Sequence, residues 1–359
     1  MRIPNEFRIG EFFCGPGGIA LGAELASRSL KELTDVTIRH AWAVDNHTDT
    51  VETFIHNIEG ASTKSVLCED VRKVKGSTLS KISSIDGFAY GFPCNDFSLV
   101  GEHKGITGNF GPLYLSGIPI LEKFDPMFFI AENVGGIQSA NGGSTFLKII
   151  EDLSKAGKGY TITPHLYKFE KYGVPQARHR VIMVGIRSDI KSIYRPPAPT
   201  HEDNYKTCME AITLPPINSS TPNNEFTRQH PRVVERLKHI KAGENAWTGN
   251  LPEHLKLNVT GATISQIYKR LDPTKPSYTV TGSGGGGTHV YHWEENRALT
   301  NRERARLQTF PDTFTFKGSK ESVRRQIGMA VPPEGAKIIF EAIIKTLLKI
   351  DYRSVEKNI

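Results

Sequence analysis

The sequence contains little cysteine and no long apolar run. Its four cysteines lie far apart, without a CxxC pair or a Cys/His spacing typical of metal ligands. We therefore expect no metal site, no disulfide framework and a reducing compartment. No uninterrupted apolar stretch approaches the roughly 20 residues needed to cross a bilayer, and residues 1–10 lack the apolar core of a secretory signal. These absences predict a soluble, cytoplasmic protein with no membrane partner.

The charge balance is moderately basic. The chain carries 45 Lys and Arg against 38 Asp and Glu, a formal charge of +7 with a pI near 9.1. Such a balance mildly favours a polyanionic partner over an acidic small molecule. With 359 residues, the chain is long enough to form one large domain and one small one.

The first half of the chain alternates between two apolar patterns. Short apolar runs at 9–14, 41–45, 87–92, 127–131 and 181–186 are typical of buried strands. Between them, segments 19–33, 50–58, 115–124 and 145–155 have the three- and four-residue apolar spacing of helices. This alternation predicts an α/β fold with a parallel sheet covered by helices on both faces.

The pattern changes beyond residue 187. YRPPAPTHEDNY (194–205) and LPPINSSTPNN (214–224) predict loops at a boundary, and regularity stays weak through residue 288, where TGSGGGG (281–287) predicts a flexible or closely packed turn. Helical periodicity returns at 299–310 and 336–348. We therefore predict a catalytic and cofactor-binding domain at 1–193, a small irregular domain at 194–290, and a segment at 291–359 whose last helix packs back on the first domain.

Polar residues follow several of the predicted strands. FFCGPGGIALG (12–22) predicts a strand, a glycine turn and a helix N-terminus, which together suit an anionic or nucleotide-like ligand. The next strand ends at Asp45, where a carboxylate can accept hydrogen bonds from a ribose, and CEDV (68–71) places Asp70 at another strand end. These strand ends predict a crevice for an adenosine-type cofactor. The alternative, that Asp45 and Asp70 only cap the following helices, stays open.

Reactive residue types lie at three further positions. GFPCNDFS (91–98) puts Cys94 at the end of an apolar run, where a nucleophile fits better than a buried thiol. AENV (131–134) ends a strand with Glu132, and QARHR (176–180) supplies Arg178 and Arg180. Two later stretches are NRERARLQTFPDTF (301–314) and QIGMAVPPEGAK (326–337).

Taken in order with FCGPGG, these stretches resemble the motifs of the bacterial, modification-type DNA (cytosine-5) methyltransferase family. The resemblance spans nearly the whole chain outside roughly 195–275. It implies a Rossmann-like S-adenosylmethionine-dependent methyltransferase sheet with helices on both faces, and a smaller target recognition domain. Cys94 would attack carbon 6 of a flipped-out cytosine, Glu132 would bind N3, and Arg178 and Arg180 would complete the catalytic set.

The resemblance also implies a binding site for S-adenosylmethionine. Its residues would be Phe13, Gly15, Gly17, Asp45, Asn46, Asp70, Val71, Pro93, Leu113, Met329 and Val331. The glycine-containing segment 98–111, directly after Cys94, would be the loop that closes over the target base.

Double-stranded DNA is the partner that the resemblance implies. Segment 195–275, the position of the target recognition domain, holds eleven Lys or Arg and eight Asp or Glu. Thr279 and Val280 resemble the end of that domain. We expect a monomer, associated with the nucleoid through DNA, with a cognate restriction endonuclease acting on the same site. Four arginines are candidates either for phosphate contacts or for supports within the fold: Arg297, Arg302, Arg304 and Arg306.

Three residues depart from the usual family pattern. Asn95 replaces the commoner glutamine, and Phe110 stands where an arginine is frequent. Met329 stands where asparagine is usual, and methionine offers no amide to organise a pocket. We expect activity with weakened cofactor binding.

Three other functions compete with this hypothesis. The first is a cytosine-5 methyltransferase acting on a structured RNA such as tRNA. The second is an NAD-dependent oxidoreductase using the glycine turn, which would leave Cys94 and Glu132 without a common role. The third is a catalytically inactive DNA-binding module, which the presence of the reactive residues disfavours.

Overall fold

The computed structural model describes residues 3–74, 78, 82–93, 111–258, 265–282 and 284–355. Contacts within the chain divide it into two units. Unit 1 comprises Met1–Lys168, His179–Thr200 and Pro333–Ile359, and unit 2 comprises Phe169–Arg178 and His201–Pro332. This division places 291–332 in unit 2. The functional domain boundaries at 1–193, 194–290 and 291–359 stay a prediction.

Unit 1 is built on a seven-stranded sheet with the order β3-β2-β1-β4-β5-β8-β6. Strands β1 to β5 run parallel, and β8 is antiparallel to both of its neighbours. Two short strands, β7 and β9, pair in unit 2. The strands are β1 (Glu6–Phe12), β2 (Thr37–Asp45), β3 (Val66–Cys68), β4 (Gly87–Gly91), β5 (Phe128–Val134), β6 (Tyr160–Lys168), β7 (Gln176–Ala177), β8 (His179–Arg187) and β9 (Ser277–Tyr278).

The α/β fold class is confirmed, but the expectation of an entirely parallel sheet is wrong. The run at 181–186 lies in β8, which is antiparallel to β5. The physical reason is the short connection between β6 and β8, residues 169–178, which contains no α-helix. A parallel crossover needs a dozen or more residues and usually a helix.

Helices cover the sheet of unit 1 and form most of the regular structure in unit 2. In unit 1, α1 packs along α9 and against β2, and α2 packs against β2 and β3. The helices are α1 (Gly18–Leu30), α2 (Thr48–Asn57), α3 (Ile118–Phe124), α4 (Ser144–Ser154), α5 (Cys208–Thr213), α6 (Pro231–Leu237), α7 (Asn301–Leu307), α8 (Lys320–Met329) and α9 (Pro333–Leu348). Within the described ranges, no helix is long and apolar enough to span a membrane.

The core of unit 1 is strongly aromatic. Phe12, Trp42 and Phe88 are almost fully buried, and their ring centroids lie 5.5 to 6.1 Å apart. Aromatic pairs at this spacing add to the free energy gained by burying their area. This packing fixes β1, β2 and β4 side by side, so their carboxyl ends meet at one edge of the sheet.

Unit 2 has a smaller apolar cluster and a set of buried arginines. Arg302 donates to the carbonyl oxygens of Pro222, Pro311 and Phe314. Arg306 pairs with Asp312 and also donates to backbone carbonyls. These arginines stabilise the interior of unit 2. Arg297, which pairs with Glu295 and Glu303, and the buried Arg304 belong to the same set.

Candidate active site

The glycine turn after β1 has an unusual backbone. Phe13 and Gly15 adopt positive φ angles of 52° and 55°, and Gly17 one of 101° as the N-cap of α1. A side chain at Gly15 would meet no atom within 4 Å, whereas one at Gly17 would press on Ile58 and Phe54. The backbone at Gly15 is therefore open to a ligand, and Gly17 is needed for packing.

Asp45 joins the ends of β1 and β2. Its Oδ2 accepts a hydrogen bond from Gly15 N at 3.0 Å, and its Oδ1 accepts one from His47 N at 3.1 Å. Burial raises the pKa of Asp45, although these N–H donors oppose the shift. Asn46, which follows it, is exposed. The carboxylate thus both fixes the turn and lies at the edge of the predicted crevice.

Asp70 has partners within its own turn. It accepts from Arg72 N at 2.9 Å, as the N-cap of the short turn Val71–Lys73, and it pairs with the Arg72 guanidinium. The hydrogen bonds from the Arg72 side chain lower the pKa of Asp70, and the bond from Arg72 N adds to this shift. Val71 is buried behind it. The capping alternative therefore describes Asp70 in this structure, and a contact with adenine stays a prediction.

Glu132 and Arg180 form an ion pair on adjacent strands. Arg180 Nε lies 2.9 Å from Glu132 Oε1, and each side chain is 14 % exposed. Arg180 lies opposite Val134, two residues along β5 from Glu132, so both side chains extend from the same face of the sheet. Glu132 lies opposite Gly91 at the end of β4. A Cβ at position 91 would lie 3.0 Å from Glu132 Oε2, so the absence of a side chain there gives the carboxylate its space.

Strand β4 leads directly to the predicted nucleophile. Phe92 is buried, and Pro93 follows it at the edge of the described chain. Cys94 lies outside the described residues, as do Asn95, Phe110 and the predicted closing loop as far as residue 110.

The chain is described again from Gly111 onwards. Leu113 is buried, and the neighbouring Tyr114 donates from its hydroxyl to Asp152 Oδ2 at 2.8 Å.

Three of the predicted site residues belong to unit 2. Arg178 is 1 % exposed and donates to the carbonyl oxygens of Val280 at 3.3 Å and Met329 at 3.5 Å. The Met329 side chain is 64 % exposed, and Val331 is buried. The structure thus places Glu132 and Arg180 in unit 1, together with the predicted cofactor-binding residues between Phe13 and Leu113. It places Arg178, Met329 and Val331 in unit 2.

Two buried amides were not predicted from the sequence. Gln176 accepts from Val280 N at 2.8 Å and donates to Gln308 Oε1 at 2.8 Å, which joins the stretches at 176–180 and 301–314 to Val280 within unit 2. Asn133 donates to Phe92 O at 3.2 Å in unit 1. The only sequence signal for either was its place in a quoted stretch, Gln176 in QARHR and Asn133 in AENV.

Across the described part of the chain, no group of three or more His, Cys, Asp and Glu is arranged to hold a metal ion. The carboxylates of the site instead bind backbone N–H groups or guanidinium groups.

Comparison with solved structures defines the class of fold. A candidate DNA modification methyltransferase encoded within an E. coli prophage superposes with a TM-score of 0.71 and 22% sequence identity, covering 95% of this chain and 99% of that chain. The sheet of unit 1 is therefore that of a methyltransferase fold, as predicted.

Sequence comparison defines the family. The family described as C-5 cytosine-specific DNA methylase matches residues 7–345, and the chain belongs to it as a DNA (cytosine-5) methyltransferase. The chain is 58% identical to the Type II methyltransferase M.BbvI of Brevibacillus brevis, over 98% of this chain and 95% of that protein. It is 37% identical to the Type II methyltransferase M.NgoFVII of Neisseria gonorrhoeae, over 95% and 87%. The family and enzyme class expected from the motifs are confirmed.

Proposed function

We propose that this protein transfers a methyl group from S-adenosylmethionine to carbon 5 of a flipped-out cytosine in a specific duplex DNA sequence, through a covalent adduct with Cys94. One observation carries this proposal. The Glu132–Arg180 pair lies beside the end of β4, from which the chain continues directly to Cys94.

The residues at the sheet edge fit S-adenosylmethionine. Gly15 leaves its backbone open, and Asp45 is held by two N–H groups with lone pairs left for ribose hydroxyls. The half-buried Phe13 adjoins this turn, and Pro93 and Leu113 lie on segments flanking Cys94. When bound, the cofactor supplies an electrophilic methyl group on a sulfonium centre.

The chain's own residues supply the activation of cytosine. The Cys94 thiolate forms a bond to carbon 6, which makes carbon 5 electron-rich enough to take the methyl group. Glu132 shares a proton with N3, which neutralises the negative charge that accumulates there, and Arg180 donates to O2. Loss of the carbon 5 proton and cleavage of the sulfur–carbon bond then regenerate the enzyme. The ion pair holds Glu132 and Arg180 in one place, so both reach the ring together.

The charge distribution supports DNA contact through unit 2. Unit 2 carries 20 of the 45 Lys and Arg but only 14 of the 38 Asp and Glu, so +6 of the net +7 lies there. Cations attract the DNA backbone without regard to sequence. The target recognition residues within 194–290 would then read the bases.

The names of the relatives support a proposal for the biological role. Both sequence relatives named above are called Type II methyltransferases. We propose that this protein is likewise a modification enzyme that acts as a monomer, with a restriction endonuclease recognising the same site.

Methyl incorporation from labelled S-adenosylmethionine tests this function. We expect labelling of duplex DNA, no labelling of tRNA, and loss of labelling in Cys94→Ser. Bisulfite sequencing of DNA from cells producing the protein should show 5-methylcytosine in one sequence context. Labelling of tRNA alone would instead support the RNA methyltransferase hypothesis.

A further inference from the structure

The buried side chain of Asn133 bridges the ends of β4 and β5. It is 1 % exposed, and its Nδ2 donates to Phe92 O at 3.2 Å. Its Oδ1 accepts from Val134 N at 2.8 Å, so both halves of the amide have a partner and the orientation of the group is fixed. A fully buried amide without these bonds would destabilise the fold, because its polar atoms would be left unpaired.

The position of this bridge is close to both reactive residues. Asn133 directly follows Glu132 on β5, and Phe92 lies two residues before Cys94. The β4–β5 ladder reaches only to the Gly91–Glu132 register pair, so the Phe92 carbonyl lies just beyond it. The Asn133 amide therefore extends the connection between the two strands by one hydrogen bond.

The residue between Phe92 and Cys94 increases the effect of that bond. The ring of Pro93 fixes its own φ near −65°, and proline has no N–H with which to form a ladder bond. Once the Phe92 carbonyl is held, the backbone of Phe92 and Pro93 keeps little freedom. Small displacements of a nucleophile reduce reaction rates strongly, because the attacking atom must lie in line with its target.

We propose that Asn133 is a positioning residue that holds the Phe92–Pro93 segment against Glu132, so that Cys94 and Glu132 reach the same cytosine ring. This inference rests on the proposed function, since it takes Cys94 as the nucleophile. It predicts that loss of the Nδ2 donor slows formation of the sulfur–carbon bond without weakening the binding of cofactor or DNA.

Asn133→Asp keeps the shape and the acceptor for Val134 N, and in its ionised form it lacks the donor to Phe92 O. The matched control is Asn57→Asp in α2, whose amide also donates to a carbonyl, that of Thr53, within its own helix. The assay is the rate at which each enzyme is trapped on duplex DNA containing 5-fluorocytosine. Dissociation constants for S-adenosylmethionine and DNA are measured in parallel.

We expect Asn133→Asp to slow trapping at least tenfold, with both dissociation constants within twofold of the parent and the control unaffected. Trapping within twofold of the parent rate in both folded Asn133→Asp and folded Asn133→Ser would overturn the proposal, as would equal losses in trapping and in cofactor affinity. Asn133→Ser, whose hydroxyl is too short to reach Phe92 O, is measured beside Asn133→Asp, because a buried Asp that kept its proton would still donate; if Asn133→Asp does not fold, Asn133→Ser decides alone by the same criteria. Failure of the parent itself to be trapped would count against the proposed function instead.

Discussion

Glu11 in β1 should make the stability of unit 1 fall as the pH rises from 4.5 to about 8. Its side chain is 1 % exposed, and no hydrogen-bond partner of its Oε2 is found among the described residues. Burial, assisted by the charge of Glu24, raises the pKa of Glu11 from 4.5 to about 8. Folded protein therefore keeps this proton at pH values where the unfolded chain has lost it.

The size of the effect follows from linkage. Below the unfolded pKa of 4.5 both states are protonated, and above about 8 both are ionised. Between these limits, the free energy of unfolding falls by about 1.4 kcal/mol for each pH unit, because the folded protein binds one proton that the unfolded chain has released. Between pH 5.5 and 7.5 the wild-type protein should lose about 3 kcal/mol through this group. Glu11→Gln cannot titrate and should not show this loss, although its buried amide costs about 1–3 kcal/mol at every pH.

Urea denaturation at pH 5.5, 6.5 and 7.5 measures the difference. Trp42 is buried in unit 1, whereas the other two tryptophans, Trp247 and Trp293, belong to unit 2. A background with both of these replaced by Phe makes fluorescence report on unit 1 alone. Relative to the parent, Glu11→Gln should gain about 3 kcal/mol over these two pH units, and the exposed control Glu52→Gln should gain nothing. A difference between parent and Glu11→Gln that stays constant with pH would refute the reasoning.

Three further predictions concern the site and unit 2. If Glu132 and Arg180 act as one unit, Arg180→Gln and Glu132→Gln should each reduce the rate of single-turnover methylation by at least 100-fold, on the order of 3 kcal/mol. The double variant should then be hardly slower than either single variant. A rate reduced by the product of the two single effects would show that the residues act independently. Gly328→Ala should destabilise unit 2 by about 2 kcal/mol or more in urea, because its Cβ would overlap the backbone of Thr281 and Gly282; an unchanged midpoint would contradict this. Met329→Asn should lower the dissociation constant for S-adenosylmethionine severalfold, as measured by calorimetry. Unchanged or weaker binding would show that methionine at this position does not reduce cofactor affinity.

The sequence predicted the parts of the fold that depend on local patterns. The glycine turn, Asp45 and Glu132 could be assigned to strand ends because apolar runs stop at those positions. They could be placed at one edge of the sheet because the carboxyl ends of parallel strands share an edge. The direction of β8 was not predicted correctly, because the sequence pattern of a buried strand is the same in both directions.

Contacts between segments far apart in the chain could not be predicted from the sequence. The sequence left open whether the arginines of α7 contact phosphates or support the fold. They are buried, and Arg302 donates to carbonyl groups from other parts of unit 2, such as those of Pro222 and Phe314. Likewise, the bond from Asn133 to Phe92 O joins residues 41 positions apart. Such bonds form only when the topology brings the two segments together, and no local pattern records them.

The covalent step is tested most directly with DNA amplified so that 5-fluorocytosine replaces cytosine throughout, which presents every sequence context at once. The account predicts that the protein, with S-adenosylmethionine, forms an adduct resistant to denaturation, that mass spectrometry locates it on Cys94, and that Cys94→Ser forms none. Absence of an adduct from the parent, together with methylation of ordinary DNA by Cys94→Ser, would contradict it.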